Sequence, residues 1–438
     1  MLNDYIHIEA FDCLSFPKEK ASADVLQAFI ASQSESVFWF SEEYHTDEDS
    51  KLAEYDYRNH CWTAGRFVGE AVFSFKDQDY KITIKPRFGE KMLFRMLEEI
   101  FNIRLTSSIS QVNKSNDWQH YIKRIIAFIW LQKLANANLH GLPKVYVKKE
   151  HRGQIIRGRL DIRKSIKSYY QSNEIVSAYR KKEADKTITQ IIFQAYNILK
   201  TEFAIGQINI PDSALEAINQ VHNTIQSIRH ITYEDYKKIS YKEIYLGWKP
   251  VVDLSWDIIQ RKQISLKQDK DRKGFGFFID MAEVWEQYLR AIFKKKLSKI
   301  GWQCINEKQI AYPNHFYKRH LIPDLVFQKG EKIAIWDAKY KKMLGRHFDI
   351  DRSDFFQIHT YIQNFLNHKI VKAGGLLYPI SNRPDFNKYK SPYLINESGA
   401  KVNFVIDGIE LTEEVETGNL IDKEQEFINR IINLLADD

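Results

Sequence analysis

Residues 322–340 read Ile-Pro-Asp-Leu-Val-Phe-Gln-Lys-Gly-Glu-Lys-Ile-Ala-Ile-Trp-Asp-Ala-Lys-Tyr. Two β-prone runs, 322–327 and 332–340, flank Gln328-Lys329-Gly330-Glu331, which has the composition of a hairpin turn. Alternate side chains of a strand share a face. Asp337 and Lys339 therefore point the same way, Ala338 turns toward the core, and the hairpin carries Asp324 beside them. Ile333, Ile335 and Trp336 mark a buried strand, where an unpaired carboxylate is costly without a metal. Two adjacent carboxylates suit a hard divalent cation such as Mg²⁺, which takes oxygen ligands at about 2.0–2.1 Å. Such an ion acidifies water and stabilises charge developing on a phosphate, and Lys339 is placed to orient the attacking water. The spacing alone is weak, since a bare match arises by chance in roughly one chain in ten of this length. Its bland reading is an exposed ion pair on a hairpin.

Flanking segments add to it. Residues 281–297 read as a helix carrying Glu286 among Met281, Trp285, Tyr288 and Leu289. A second helix, 353–367, sets Gln357 and Tyr361 one turn apart, and a strand follows at 374–378. Glu286 is either a further acidic ligand or a solvated helix residue; Tyr361 is either a site residue or core packing. The order of these elements predicts an α/β domain over 271–438. Residues 1–112 read as β-rich, with a hairpin of 71–75 and 80–85 about the turn 76–79. Ile82 and Ile84 alternate with Lys81, Thr83 and Lys85, which predicts one wet face. A helix is expected over 91–101, with Met92, Met96 and Ile100 spaced by four. Residues 113–270 read as a mostly helical connector: Ile122, Ile125, Ile126, Ile129 and Leu134 recur at helical spacing, Gly141-Leu142-Pro143 breaks the pattern, and 188–199 is another apolar helix face. A short Arg-rich strand is expected at 155–160. The fold class is α+β and multidomain.

The 438 residues are 44% hydrophobic and 13% aromatic, enough for sizeable cores and against disorder. The net charge of +7 permits a polyanionic partner without requiring one. Residues 1–60 hold 4 basic and 13 acidic residues, residues 141–190 hold 13 and 5, and residues 401–438 hold 3 and 10. Arg152, Arg157, Arg159, Arg163, Lys164 and Lys167 in that basic middle can hold phosphates, where each contact adds salt-dependent affinity, or can face an acidic protein surface. Cys13, Cys61 and Cys304 lack metal-ligand spacing, so reduced thiols in a cytoplasmic protein are expected. Asp4, Glu9 and Asp12 stand where a signal peptide needs a basic start, and the run from Ile125 to Leu131 is too short to span a bilayer. No phosphate loop of the form G-x-x-x-x-G-K-[ST] occurs, so no nucleotide is expected on this chain.

Taken in order, Glu286 within Met-Ala-Glu-Val-Trp-Glu-Gln-Tyr-Leu, Ile322-Pro-Asp-Leu-Val, Ile335-Trp-Asp-Ala-Lys-Tyr, Asp354-Phe-Phe-Gln-Ile-His-Thr-Tyr and Gly374-Gly-Leu-Leu-Tyr-Pro resemble the successive nuclease segments of the McrC family. These are the nuclease subunits of McrBC-type restriction systems directed at 5-methylcytosine. Gly158-Arg-Leu-Asp-Ile and the helix near 187–199 resemble the family's middle segment, so the likeness spans roughly 110–380. The Gln-x-x-x-Tyr element is shared with RecB-like nucleases. The resemblance implies a PD-(D/E)xK restriction-endonuclease-like domain with Asp324, Asp337, Lys339, Glu286, Gln357 and Tyr361 at its site. Mg²⁺ or Mn²⁺ would be held by Asp324, Asp337, the Ala338 carbonyl and Glu286. It implies docking on a hexameric McrB-like AAA+ GTPase, stimulation of its hydrolysis, and cleavage of double-stranded, methylated DNA. The N-terminal region is the expected insertion element into that motor's pore, and Lys85 and Arg87 beside Pro86 are either motor contacts or a generic basic loop. A stand-alone RecB-like nuclease and a non-cleaving GTPase-activating scaffold are the alternatives.

Overall fold

In the computed structural model the hairpin forms between Leu325–Lys329 and Lys332–Ala338, paired from Lys329↔Lys332 to Leu325↔Trp336. Gly330, with φ +60°, supplies the left-handed turn position. The structure describes residues 5–32, 37–38, 51–57, 59–101, 118–203, 205, 210–225, 227–267, 275–305, 309–311, 316, 319–341, 351–380, 390–391, 402–411 and 417–436. Around the hairpin a six-stranded mixed sheet is built. Gln303–Cys304 lies outside Leu325–Lys329; on the other side Ile370–Ile380 runs parallel to Lys332–Ala338, then Asn403–Glu410 runs parallel to it, with Lys390–Ser391 at the edge.

Parallel strands must be covered on both faces. The helix Arg352–Leu366 packs Ile358, Ile362 and Phe365 on the face of Ile333 and Ile335. The opposite face, with Trp336 and Phe327, meets Phe293 of the helix Met281–Leu297, which also stacks on Phe427 of the helix Thr417–Leu435. In Ile370–Ile380, Gly375 has φ +153°, and a Cβ there would sit 1.7 Å from the Val405 carbonyl oxygen. Gly375→Ala is therefore expected to cost about 3 kcal/mol or more, from backbone strain and overpacking together; a urea titration checks it, and an unchanged midpoint would show that the strand can shift.

The chain forms two compact units, one from 1–110 with 272–438 and the other from 111–271. The sequence suggested separate domains for 1–112 and 271–438. Instead Phe275–Asp280 pairs antiparallel with Phe67–Phe75, so a strand leading into the C-terminal sheet's helix belongs to the N-terminal sheet. That sheet runs in the order Ile6–Phe11, Gln78–Lys85, Phe67–Phe75, Phe275–Asp280, Val37–Phe38. Asp280 then caps Met281–Leu297: its Oδ1 accepts the Ala282 N–H at 2.9 Å, while Arg66 donates to its Oδ2 at 2.9 Å. Arg95 of the helix Gly89–Phe101 donates to Glu424 of Thr417–Leu435 at 2.9 Å, and the Tyr288 hydroxyl donates to the same carboxylate at 2.8 Å.

Two details of the N-terminal hairpin differ from expectation. Its turn is Lys76-Asp77 alone, both at positive φ, because Phe75 pairs with Gln78; a two-residue loop of that conformation matches strand twist. The supposedly wet face holds Thr83 at 8% exposure beside buried Glu70, whose carboxylate meets Lys81 at 3.0 Å. The strand is interior to the sheet, so its polar residues are paired rather than solvated. On the other face Ile82, Ile84, Phe73 and Phe278 pack under Val25, Leu26 and Phe29 of the helix Ala23–Ser32.

The unit 111–271 holds the helices Trp118–Ala137, Ile162–Ser172, Lys186–Glu202, Asp212–Thr224 and Lys249–Lys267. It also holds a sheet that the sequence did not reveal: Lys144–Gly153 pairs antiparallel with Ile175–Ala184, and the expected strand 155–160 contracts to Arg159–Leu160 on its far edge. Lys144–Gly153 is mostly polar and Ile175–Ala184 ends in the charged run Arg180–Glu183, so neither shows the apolar alternation that betrays a strand. Among the described residues no helix is long and apolar enough to cross a membrane. Cys13, Cys61 and Cys304 are free.

Candidate active site

Asp324 immediately precedes Leu325, and one register step beyond Leu325↔Trp336 puts it opposite Asp337. Its Oδ2 accepts the Ala338 N–H at 2.7 Å, which fixes the carboxylate against the end of the neighbouring strand. Asp337 is 1% exposed. Lys339 lies just past the strand, its N–H donated to the Leu377 carbonyl at 2.9 Å. Trp285 Nε1 donates to that same carbonyl at 3.2 Å, seating the helix Met281–Leu297 on the sheet. Lys339 Nζ stands 2.6 Å from Asp337 Oδ2 and donates to Gln357 Oε1 at 2.9 Å. Gln357 Nε2 in turn donates to the Tyr361 hydroxyl at 2.9 Å, the i,i+4 contact of one helix face. Asp337, Lys339, Gln357 and Tyr361 thus form one connected chain. Ala338, expected in the core, is half-buried at the strand's end.

Glu286 sits on the helix alongside. Its Oε1 accepts from Arg290 at 2.7 Å, and the same Arg290 nitrogen donates to the Asp324 main-chain oxygen at 2.7 Å. Burial, then the charges of Asp337 and Glu286, hold the Asp324 carboxyl well above the usual carboxylate range, against the pull of Lys339 and the Ala338 N–H. Burial alone would lower the Lys339 ammonium, but the carboxylates of Asp337 and Asp324 outweigh it and raise it. Tyr361 is pushed up to about 12, chiefly by burial and then by Asp337.

Asp337 and Glu286 are close enough to disfavour the ionisation of Asp324, a repulsion that a divalent cation relieves. Their oxygens are the hard donors such an ion takes. Among the described residues no three acidic, imidazole or thiol side chains converge as a closed cage. The donor set fits an ion that keeps several waters and rests on one or two carboxylates, the habit of Mg²⁺.

Four neighbours were not singled out from the sequence. Asp354, 5% exposed, lies 3.7 Å from Lys339 Nζ and 2.6 Å from Lys341 Nζ, and accepts from the Tyr378 hydroxyl at 3.3 Å. Arg290 bridges Glu286 and Asp324 as above. Asp354 was legible in principle, since it stands three residues before Gln357 on the same helix. Of the expected binding residues, Arg87 is corrected: at 6% exposure it is buried beside Asp12, with its guanidinium 4.6 Å from the Tyr340 ring centroid and 4.7 Å from that of Phe88. A side chain so enclosed is no surface contact; Pro86 turns the chain inward there instead of presenting a basic loop. Lys85 pairs with Glu9 at 2.7 Å. Arg152, Arg157, Arg159, Arg163 and Lys164 are exposed, and Arg152 and Lys164 both reach Glu150.

Among curated proteins, none matches the chain. Among solved structures, a chain of the refined half-complex from the tetradecameric assembly of Thermococcus gammatolerans McrB AAA+ hexamers with bound McrC matches at 14% identity and a TM-score of 0.51, covering 97% of this chain and all of that one. At that identity the likeness concerns the fold. A chain of the Thermococcus gammatolerans McrBC complex matches at 12% identity and a TM-score of 0.35, over 66% of this chain and 88% of that one, too low to bear on the fold. Residues 63–379 match the family of McrBC 5-methylcytosine restriction system components, and the chain belongs to that family.

Proposed function

We propose that the chain is the DNA-cleaving subunit of an McrBC-like restriction complex, with a PD-(D/E)xK site in the C-terminal sheet. The observation that carries this is the convergence of Asp324, Asp337, Lys339 and Gln357 at one end of the central hairpin, four groups drawn from two strands and a helix. A bound Mg²⁺ or Mn²⁺ would supply Lewis-acid stabilisation of the scissile phosphate and lower the pKa of water. Asp324 and Asp337, with Glu286 and the Ala338 carbonyl beside them, would hold it. Lys339 keeps its proton, because its ammonium is stabilised by two carboxylates. It therefore donates hydrogen bonds to the attacking water or a phosphate oxygen and does not act as the base. Gln357 aims Lys339, and Tyr361 aims Gln357.

By the company that the Thermococcus gammatolerans match keeps, the partner is a McrB-like AAA+ GTPase hexamer, which would recognise modified duplex DNA and move it. The test is cleavage of methylated and unmethylated duplex by the purified chain with that partner, GTP and Mg²⁺. Cleavage requiring all three supports the proposal. Cleavage by the chain alone would favour a stand-alone nuclease, and GTPase stimulation without any cleavage a scaffold. Gln357→Leu removes the hydrogen bond to Lys339 while leaving the exposed helix surface intact. It is expected to lower the cleavage rate about a hundredfold, the effect of a misplaced catalytic group, with unchanged melting; a loss under threefold would show that Asp337 alone positions the lysine.

A further inference from the structure

The unit 111–271 contains a cavity of about 880 Å³ whose wall carries Lys144, Lys149, Lys181, Lys182, Lys186 and Arg229 against a single carboxylate, Glu183. Glu183 meets Lys149 at 3.1 Å and Lys181 at 3.8 Å. Among the described residues Lys144 and Lys182 have no such ion pair. The remaining wall is largely hydroxyl and amide, including Thr187, Thr189 and Thr224, with only Leu142, Ile225 and Ile231 as large apolar groups. No aromatic ring lines it, so a nucleobase has no platform on which to stack. The chemistry selects phosphate.

Two of the cavity residues, Lys144 and Lys182, also belong to an open surface. Opposed residues of an antiparallel pair share a face. By the register Lys144↔Ala184, Tyr146↔Lys182 and Lys148↔Arg180, the residues Lys144, Tyr146, Lys148, Arg180 and Lys182 stand together, and all five are exposed. Arg152 and Arg159 extend the face, Arg159 through its pairing with Ala178. Lys242 joins it over the Tyr146 ring, 5.3 Å from the centroid. Glu150, the acidic residue on that face, is covered by Arg152 and Lys164. On this face Lys144, Lys148 and Arg152 recur at every fourth residue, about 13 Å apart along one strand, beside Arg180 and Lys182, about 7 Å apart on the other, and Lys144 and Lys182 at the end of the row also line the cavity. A compact anion needs only the cavity, whereas a row of this length fits a linear polyanion.

We propose that this two-stranded ribbon and the cavity at its end form a track for the phosphodiester backbone of DNA, separate from the candidate cleavage site. The choice of DNA as the polyanion rests on the proposed function; the charge arrangement does not. Each phosphate neutralised releases counterions, so removing a contacting cation makes the salt dependence of binding shallower by about one unit of log K per log salt. The experiment measures binding of the full chain to labelled duplex and single-stranded DNA by anisotropy across a salt series, with EDTA present so that no cleavage occurs. The double variant Lys144→Gln/Lys182→Gln is expected to bind about tenfold or more weakly at low salt, with a slope shallower by about two. Lysine acetylation footprinting of the unaltered chain gives a second readout: Lys144, Lys148 and Lys182 are expected to be protected by DNA. Unchanged affinity and slope, or no protection, overturns the proposal. So does loss of assembly with the AAA+ partner while DNA binding persists, which would make the ribbon a protein-docking face. Because binding is read without metal, failure of the nuclease reading, seen as cleavage surviving Asp337→Asn, leaves this measurement standing, and the reverse also holds.

Discussion

Asp337→Asn is expected to lower DNA cleavage by at least about a thousandfold while the protein stays folded. A metal that stabilises a transition state contributes several kcal/mol, and each 1.36 kcal/mol is tenfold in rate. The substitution preserves shape but removes one anionic oxygen from the metal's donor set and the counter-charge 2.6 Å from Lys339 Nζ. It also relieves the repulsion from Asp337 that raises the Asp324 pKa, which offsets the lost pair with Lys339, so melting in EDTA should change little. Single-turnover cleavage, thermal melting in EDTA and stimulation of the partner's GTPase together decide the matter. Lost cleavage with retained stimulation supports the site; cleavage within tenfold of the unaltered chain sinks the assignment of the metal to Asp337.

Arg87→Met is expected to destabilise the chain by about 3–5 kcal/mol, the effect of breaking a buried pair by removing one partner. Asp12 is 0% exposed, and its carboxylate lies 3.9 Å from the Arg87 guanidinium. Burial already raises the Asp12 pKa from 3.8, with Arg87 the first opposing influence. The sign of the pH dependence follows. In the window above 3.8 the folded state holds a proton that the unfolded state has released, so stability falls as pH rises toward the folded value. Removing Arg87 moves that upper limit higher. The loss should therefore be larger at mildly alkaline than at mildly acidic pH, read from denaturant midpoints at each. An equal loss at both would mean that Asp12 stays neutral throughout and that Arg87 acts only by packing on Tyr340 and Phe88.

The local features of the site were legible because local rules determine them. Turn composition set the hairpin, strand alternation put Asp337 and Lys339 on one side, and helical spacing joined Gln357 to Tyr361. The helix bounds 281–297 coincide with the observed Met281–Leu297, since Asp280 is a good N-cap and the apolar period is clear. What escaped was non-local or polar. Nothing near Phe275–Asp280 announces a partner two hundred residues upstream. Lys144–Gly153 and Ile175–Ala184 carry consecutive charges, Lys148-Lys149-Glu150 and Arg180-Lys181-Lys182-Glu183, where a half-buried strand would alternate polar with apolar groups. Arg87 looked like surface because a cation beside a proline usually is, and its burial depends on Asp12 and Tyr340, which only the fold brings near.

The strand exchange between the chain's two ends also orders events during synthesis. Phe67–Phe75 pairs with Gln78–Lys85 at once, but its other edge waits for Phe275–Asp280. At about 5–20 residues per second, the roughly two hundred intervening residues take about 10–40 seconds to emerge. Through that interval a long apolar strand presents an open edge, a hazard for mispairing, while residues 111–271 are free to fold as their own unit. The helix bearing Glu286 begins at the residue after the strand that closes this edge, and the carboxylates of the candidate site come later still. A nascent chain thus cannot assemble the candidate site until the N-terminal sheet and residues 111–271 have been made, so that, on the proposed function, truncated translation products would lack the residues that cut DNA.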